Sequence, residues 1–123
     1  MTLKIEIDQL LTEELLAEMI QIRRHLHQYP ELSFEEYNTS AYIRELLDDW
    51  NIEYTFHIVK TGILARIKGD KPGKRIAVRT DMDALPIVEK NDVAYCPVNE
   101  GVMHACGHDA HMACLLGASR ILQ

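Results

Sequence analysis

The spacing of the apolar residues changes at Trp50, and this change constrains the fold more than any other feature of the sequence. Before Trp50, apolar side chains recur every three or four residues, which is the period of an amphipathic helix. After it, Ile52, Tyr54, Phe56 and Ile58 alternate with polar residues, which is the period of a half-buried strand. Helices followed by strands predict an α/β domain in which helices pack on a mixed β-sheet.

Two helices are predicted in the first part of the chain. The first has Thr12 as its N-cap and ends at Tyr29, because Pro30 disfavours helical geometry at the residue before it. At the start of the second, Ser33 and Glu36 have the spacing of a capping box. Its expected buried face consists of Phe34, Tyr37, Ala41, Leu47 and Trp50.

Shorter elements are expected after residue 58. In chain order they are strands at residues 63–67 and 75–78, a loop at 81–86, a short strand near 87–88, an irregular segment at 91–107 and a helix at 110–122. The glycines and the proline of residues 69–74 predict that the two strands on either side form a hairpin. The last helix is apolar on most sides and is therefore expected to be buried.

Size and charge exclude several classes of function. The 123 residues fit one domain, residues 1–123, and the formal net charge of −6 disfavours a nucleic-acid partner. No stretch approaches the roughly 18–20 apolar residues that span a bilayer, and the acids near the N-terminus are unlike a signal peptide. We therefore expect a cytoplasmic protein without a membrane partner. In that compartment Cys96, Cys106 and Cys114 are expected to be thiols or metal ligands.

The side chains that carry chemistry are densest in residues 103–111, which contain three histidines, one cysteine and one aspartate. Cys106 and His108 are separated only by Gly107 and could bind one metal ion from a single loop. Asp109 could orient a ligating imidazole through a hydrogen bond. The alternative is a polar loop with a free thiol.

A second cluster follows the strand predicted at residues 75–78. Asp81 and Asp83 would point to the same side if the extended geometry continued. Acids at the end of a strand lie where α/β proteins place their sites. The alternative is a solvated strand end that happens to hold two aspartates.

Together these motifs resemble the M20 metallopeptidase family. Asp-Met-Asp-Ala-Leu-Pro at residues 81–86 is followed by His-Ala-Cys-Gly-His-Asp-Ala-His at residues 104–111, in the order and spacing of that family. More narrowly, the chain looks like the amidohydrolase branch, which includes N-acyl-amino-acid hydrolases, hippurate hydrolases, N-acetyldiaminopimelate deacetylases and plant auxin-conjugate hydrolases. Arg-Arg-His-Leu-His-Gln-Tyr-Pro-Glu at residues 23–31 is similar to the opening motif of that branch.

The resemblance implies roles for individual residues. Cys106 and His108 match metal ligands of the family. Supporting positions around the metals are implied for Asp81, Asp83, His104 and Asp109. His25, His27 and Glu31 match the opening motif, and a packing or capping role is the alternative for them.

The resemblance also implies an activity. Members use two divalent metal ions, zinc or manganese or else cobalt or nickel, to hydrolyse N-acyl amino acids to a carboxylate and a free amino acid. In the family, a Glu-Glu pair that holds the general base, two further ligand histidines and the satellite dimerisation domain lie beyond the matched region. No Glu-Glu pair follows His108 in residues 1–123.

We therefore expect the N-terminal part of a zinc-peptidase-like catalytic domain, inactive by itself. The alternative is a non-catalytic metal-binding or interaction chain that needs a second chain. Apolar surface left uncovered by the missing portion predicts a homo-oligomer.

Overall fold

The structure, a computed structural model, describes residues 3–123. They form four helices and one β-hairpin, in the order α1 Leu3–Leu10, α2 Glu13–Gln28, α3 Tyr37–Asp49, β1 Glu53–Ile58, β2 Gly62–Arg66 and α4 His108–Leu122. The α/β class is confirmed, and α1 is an element that was not predicted from the sequence. None of the helices in residues 3–123 is long and apolar enough to cross a membrane.

Helix α2 begins and ends where the sequence predicts. The Thr12 hydroxyl accepts a hydrogen bond from the backbone N–H of Leu15 at 3.2 Å, as an N-cap residue should. At the other end, the backbone N–H of Tyr29 closes the last turn on the carbonyl of His25, and Pro30 follows directly. Local sequence signals are sufficient here because both caps lie next to the helix that they terminate.

The predicted capping box of α3 is wrong. The helix begins at Tyr37, and the side chain of Glu36, its N-cap residue, makes no capping hydrogen bond. The carboxylate of Glu36 instead accepts a hydrogen bond from the Thr61 hydroxyl at 2.7 Å. Phe34 has a φ of 65°, so the chain turns between Ser33 and the helix. That turn interrupts the continuous geometry that a capping box requires.

Glu31 caps α3 instead. Its carboxylate accepts hydrogen bonds from the backbone N–H groups of Asn38 at 3.1 Å and Thr39 at 2.6 Å. The late start also changes the buried face, since Phe34 and Tyr37 are 56% and 51% exposed. The buried residues of α3 are Thr39, Ser40, Ile43 and Leu47.

Strands β1 and β2 pair in antiparallel fashion, with an irregularity in the register between Phe56 and Ile58. The predicted alternation of burial is correct only at the start of this segment, where Ile52 is buried and Tyr54 is partly buried. Phe56 and Ile58 are 39% and 45% exposed. The alternating pattern therefore predicted the strand correctly, but it did not predict how far the apolar side chains of the strand are buried.

The strands predicted at residues 75–78 and 87–88 are wrong. Residues 67–83 form neither helix nor strand, and Ile76 and Val78 are 88% and 69% exposed. The hairpin predicted around residues 69–74 is consequently not formed. An extended segment becomes a strand only when a neighbour accepts its backbone hydrogen bonds, and nothing in residues 3–123 pairs with residues 75–78.

The core lies between α2, α3 and α4, and the first residues of the hairpin segment contribute to it. Its buried members are Ile22, Leu26, Ile43, Leu47, Trp50, Ile52, Met112, Ala113 and Leu116. Helix α2 packs along α4. The approach is close at Gly117, where a Cβ atom would overlap the thioether of Met19. This packing places the N-terminus of α4 beside the C-terminal half of α2.

Replacing Glu31 with Ala should destabilise the protein, because two backbone N–H groups of α3 lose their acceptor. The expected loss in the free energy of unfolding is about 0.5–2 kcal/mol, measured by urea denaturation. Glu35→Ala is the matched control, since Glu35 only forms an exposed ion pair with Lys60, and such pairs contribute little. Equal destabilisation by both substitutions would contradict the capping role of Glu31.

We propose that exposed apolar side chains make this chain self-associate. Ile76, Val78 and Leu64 are 88%, 69% and 54% exposed, and large exposed apolar patches favour association. Sedimentation equilibrium at low micromolar concentration should show a dimer. The double substitution Ile76→Asp and Val78→Asp should shift the monomer–dimer equilibrium toward monomer, whereas Val98→Asp should not. A wild-type chain that stays a compact monomer would contradict this proposal.

Candidate metal centre at the N-terminus of α4

Two loops meet beside the N-terminus of α4. Leu85 and Met103 exchange two backbone hydrogen bonds of 2.9 Å as an antiparallel bridge, and Leu32 forms a parallel bridge with Ala84. Residues 81–86 therefore lie beside residues 103–108. The aspartate motif and the histidine loop are adjacent in the structure, although no strand at residues 75–78 supports this arrangement.

His108 is held by Asp83. Its ring atom Nδ1 lies 2.9 Å from the backbone carbonyl oxygen of Asp83 and 3.1 Å from the carboxylate Oδ1. Both neighbours are acceptors, so Nδ1 carries the proton and the lone pair lies on Nε2. A carboxylate that orients an imidazole in this way is typical of the surroundings of a histidine metal ligand.

Cys106 lies two residues before His108 in the same loop. Its thiol is exposed and free, and Gly107 between the two has a φ of 91°. That left-handed conformation is accessible to glycine and strained for other residues. The positive end of the α4 dipole favours the thiolate form of a cysteine placed here. Thiolate and imidazole are donor types that fit zinc, cobalt or nickel, so this pair is suited to form part of a metal site.

Asp109, the second residue of α4, is fully buried at 0% exposure. Its Oδ2 lies 2.8 Å from Nδ1 of His27 and 2.9 Å from Nε of Arg23, both on α2. The other ring nitrogen of His27, Nε2, lies 2.8 Å from a carboxylate oxygen of Glu89. The side chains of Arg23, His27, Glu89 and Asp109 thus form a network that joins α2, α4 and the loop at residues 87–96.

An aromatic side chain covers this network. The ring of Tyr95 meets the ring of His27 edge-on at 5.6 Å, and the guanidinium of Arg23 lies 5.3 Å from the Tyr95 ring centre. Burial would raise the pKa of Glu89, but hydrogen bonds from Asn91 and His27 and the positive charges of His27 and Arg23 lower it. Glu89 is therefore an ionised carboxylate in the neutral pH range.

His104 is buried at 4% exposure, and neither of its ring nitrogens has a hydrogen-bond partner in residues 3–123. The same holds for Oδ1 of Asp109. Burial lowers the pKa of His104 despite the nearby charge of Asp109, so the ring is neutral. Buried polar atoms without partners are rare. These orphaned atoms fit a site that is completed by a group other than the described side chains.

Asp81 lies apart from the Asp83–His108 contact. Its carboxylate pairs with Arg79 on the surface, and it lines an open groove of about 400 Å³ together with His111 and Cys114. Its predicted supporting role stays a prediction. Among the side chains that the structure describes, those of residues 7–123, no group of three or more His, Cys, Asp and Glu has an arrangement that could hold a metal ion.

The opening motif of the chain has structural roles in this fold. The ring of His25 stacks on Tyr42 with centres 3.8 Å apart, Glu31 caps α3, and His27 joins the buried charge network. These contacts are those of packing and capping residues, which is the alternative role considered for His25, His27 and Glu31. Sequence reasoning missed Glu89 and Tyr95, whose only signal was an acid and an aromatic residue in an irregular segment.

The fold and the loop at residues 103–108 define the class of protein. It is the N-terminal part of a metallopeptidase-type α/β catalytic domain. The model of peptidase family M20/M25/M40 matches residues 77–123. The chain is 48% identical over 123 residues to the N-acetyl-L-cysteine deacetylase of Bacillus subtilis, covering 100% of this chain and 30% of that protein. It is 46% identical over 111 residues to the N-acyl-L-amino acid amidohydrolase of Geobacillus stearothermophilus, covering 90% of this chain and 30% of that protein.

Solved structures agree with these sequence matches. A dinuclear metal-binding M20 peptidase of Bacillus subtilis superimposes with a TM-score of 0.86 at 42% identity, covering 90% of this chain and 32% of that one. A putative aminohydrolase of methicillin-resistant Staphylococcus aureus gives a TM-score of 0.83 at 46% identity, with coverages of 94% and 32%. The chain belongs to the M20 peptidase family and corresponds to the N-terminal portion of these relatives. It spans about 30% of the length of the curated relatives that it matches.

The free energy of unfolding should fall as the pH is lowered from about 7.5 to about 5.5. Burial lowers the pKa of His25 from 6.5, and the charge of Glu45 opposes this only in part. The unfolded chain then binds more protons than the folded one, so acid favours unfolding. His25→Gln should reduce the fall, measured by urea denaturation, and the exposed His57→Gln should not. An unchanged pH dependence in His25→Gln would contradict the conclusion that His25 causes the fall in the free energy of unfolding.

Proposed function

We propose that this chain supplies part of the metal centre of an amidohydrolase that cleaves N-acyl amino acids into a carboxylate and a free amino acid. The proposal is supported by the orientation of His108 by Asp83, with Nε2 left as a ligand atom beside an exposed cysteine. It is also supported by relatives named as an N-acetyl-L-cysteine deacetylase and an N-acyl-L-amino acid amidohydrolase. Since the chain spans about 30% of these relatives, the activity of a whole protein is proposed by similarity.

In this proposal Cys106 and His108 would hold a divalent metal ion through Sγ and Nε2. A bound metal pair would lower the pKa of a water molecule toward neutrality and polarise the amide carbonyl. Asp83 keeps the proton of His108 on Nδ1 and fixes the ring, and so preserves the free lone pair on Nε2. Metal binding is supported by a solved relative described as a dinuclear metal-binding peptidase. Zinc, cobalt or nickel are proposed because they suit a thiolate and an imidazole, and manganese is proposed from the family resemblance.

The 123-residue chain is proposed to be inactive by itself. Two ligands are fewer than the three or four that stable protein sites usually supply. No Glu-Glu pair follows His108, and no acid of any kind follows Asp109. A missing general base by itself typically costs about 10²- to 10⁴-fold in rate.

A non-catalytic metal-binding or interaction role is the second candidate. It is favoured by the exposed apolar side chains at residues 76 and 78, which could receive a separate chain. The reading frame beyond codon 123 distinguishes the two candidates. Continuation to a Glu-Glu motif supports the hydrolase, and a stop codon supports a role that needs a second chain.

The chain should bind zinc or manganese weakly or not at all in equilibrium dialysis, and Cys106→Ser should reduce whatever binding exists because it removes the softest ligand. Cys114→Ser is the matched control, since Cys114 is also exposed but lies away from the Asp83–His108 pair. An N-acyl amino acid assay should detect no hydrolysis. Tight stoichiometric binding would show that another residue completes the site, and equal effects of both substitutions would contradict the role of Cys106.

A further inference from the structure

We propose that Arg23, His27 and Glu89 form a positioning network: by fixing Asp109, they orient His108 for metal binding. The inference rests on the proposed function, because it takes His108 as a metal ligand. It assigns a role to residues that lie on a different helix and a different loop from the metal-binding motif.

Three of the four side chains of the network are nearly removed from water, and the fourth, Arg23, is 34% exposed. The side chains of His27, Glu89 and Asp109 are 4%, 5% and 1% exposed. His27 faces a carboxylate oxygen with each ring nitrogen: Nδ1 lies 2.8 Å from Oδ2 of Asp109, and Nε2 lies 2.8 Å from Oε2 of Glu89. A buried charge that lost its partner would be strongly unfavourable, so the members hold one another in a single arrangement.

The network reaches the metal ligand through the first turn of α4. His108 and Asp109 are its first two residues, so a shift of Asp109 moves the backbone of His108. The ring of His108 is meanwhile tied to Asp83 on the other side. The backbone is thus fixed from α2 and the ring from the aspartate loop, which is the kind of support that keeps a ligand within tenths of an ångström of its productive position.

A purely structural role predicts a different outcome. If the network only stabilised the fold, its loss would lower the free energy of unfolding and leave His108 unchanged in the folded chain. If it positions His108, the folded chain itself must change at that ring. The tautomer of His108 reports this directly, because its Nδ1 carries the proton only while the ring faces Asp83.

The test uses His27→Gln in the metal-free 123-residue chain, with His25→Gln as the matched control on the same helix. Histidine-ring ¹⁵N chemical shifts should show a single Nδ1–H tautomer of His108 in the wild type and in His25→Gln, and averaged tautomers in His27→Gln. Glu89→Gln is a milder change at the edge of the network and should give partial averaging of the His108 tautomers. It replaces His27→Gln in the test if His27→Gln does not fold. A single Nδ1–H tautomer retained in the folded network variants would overturn the inference.

A second measurement separates this inference from the proposed function. Titration with Co²⁺ alone, followed by thiolate-to-cobalt absorption, should give about tenfold weaker affinity in folded His27→Gln than in His25→Gln. Cys106→Ser should abolish the absorption. If wild type and Cys106→Ser give the same signal, the proposed ligand pair fails and the ¹⁵N result still decides the positioning role. If wild type gives no signal, the ¹⁵N result alone decides the positioning role. If Cys106→Ser abolishes the signal and His27→Gln keeps full affinity, only the positioning inference fails.

Discussion

The rest of the structure depends on one buried ionic contact, between Asp109 in the first turn of α4 and the pair Arg23 and His27 on α2. A carboxylate at 0% exposure is tolerated only with such partners. Removing one partner of a buried pair typically costs about 3–5 kcal/mol. The contact therefore aligns the first turn of α4 with the C-terminal half of α2.

This docking explains how the two parts of the candidate site come together. Once α4 is aligned, its N-terminus presents Cys106 and His108 to the loop that follows residue 80. The backbone bridge between Leu85 and Met103 holds that loop in place, and Asp83 then meets the imidazole. The geometry of the candidate site is thus a consequence of helix packing and loop pairing together, and neither segment would create it by itself.

Apolar segments that lack a packing partner remain exposed in this structure. Ile76 and Val78 carry a strand-like pattern, yet they are exposed and unpaired within residues 3–123. Phe56 and Ile58 are in a strand, but their apolar side is only partly covered. In both places, local preference favours extended geometry while burial requires a second layer. The uncovered surface is the physical basis for proposing association.

The sequence by itself determined the elements whose signals are local. Thr12 and Pro30 mark the ends of α2 because capping and proline geometry act within one turn. The types and spacing of Cys106 and His108 likewise indicate metal chemistry without a structure. Only the tertiary structure decided the long-range pairings: Glu31 as the cap of α3, Asp109 in contact with α2, and the absence of a strand at residues 75–78. Glu31 and Asp109 meet groups that their local sequence does not specify, and residues 75–78 lack a pairing strand within residues 3–123. Local periodicity carries no information about either.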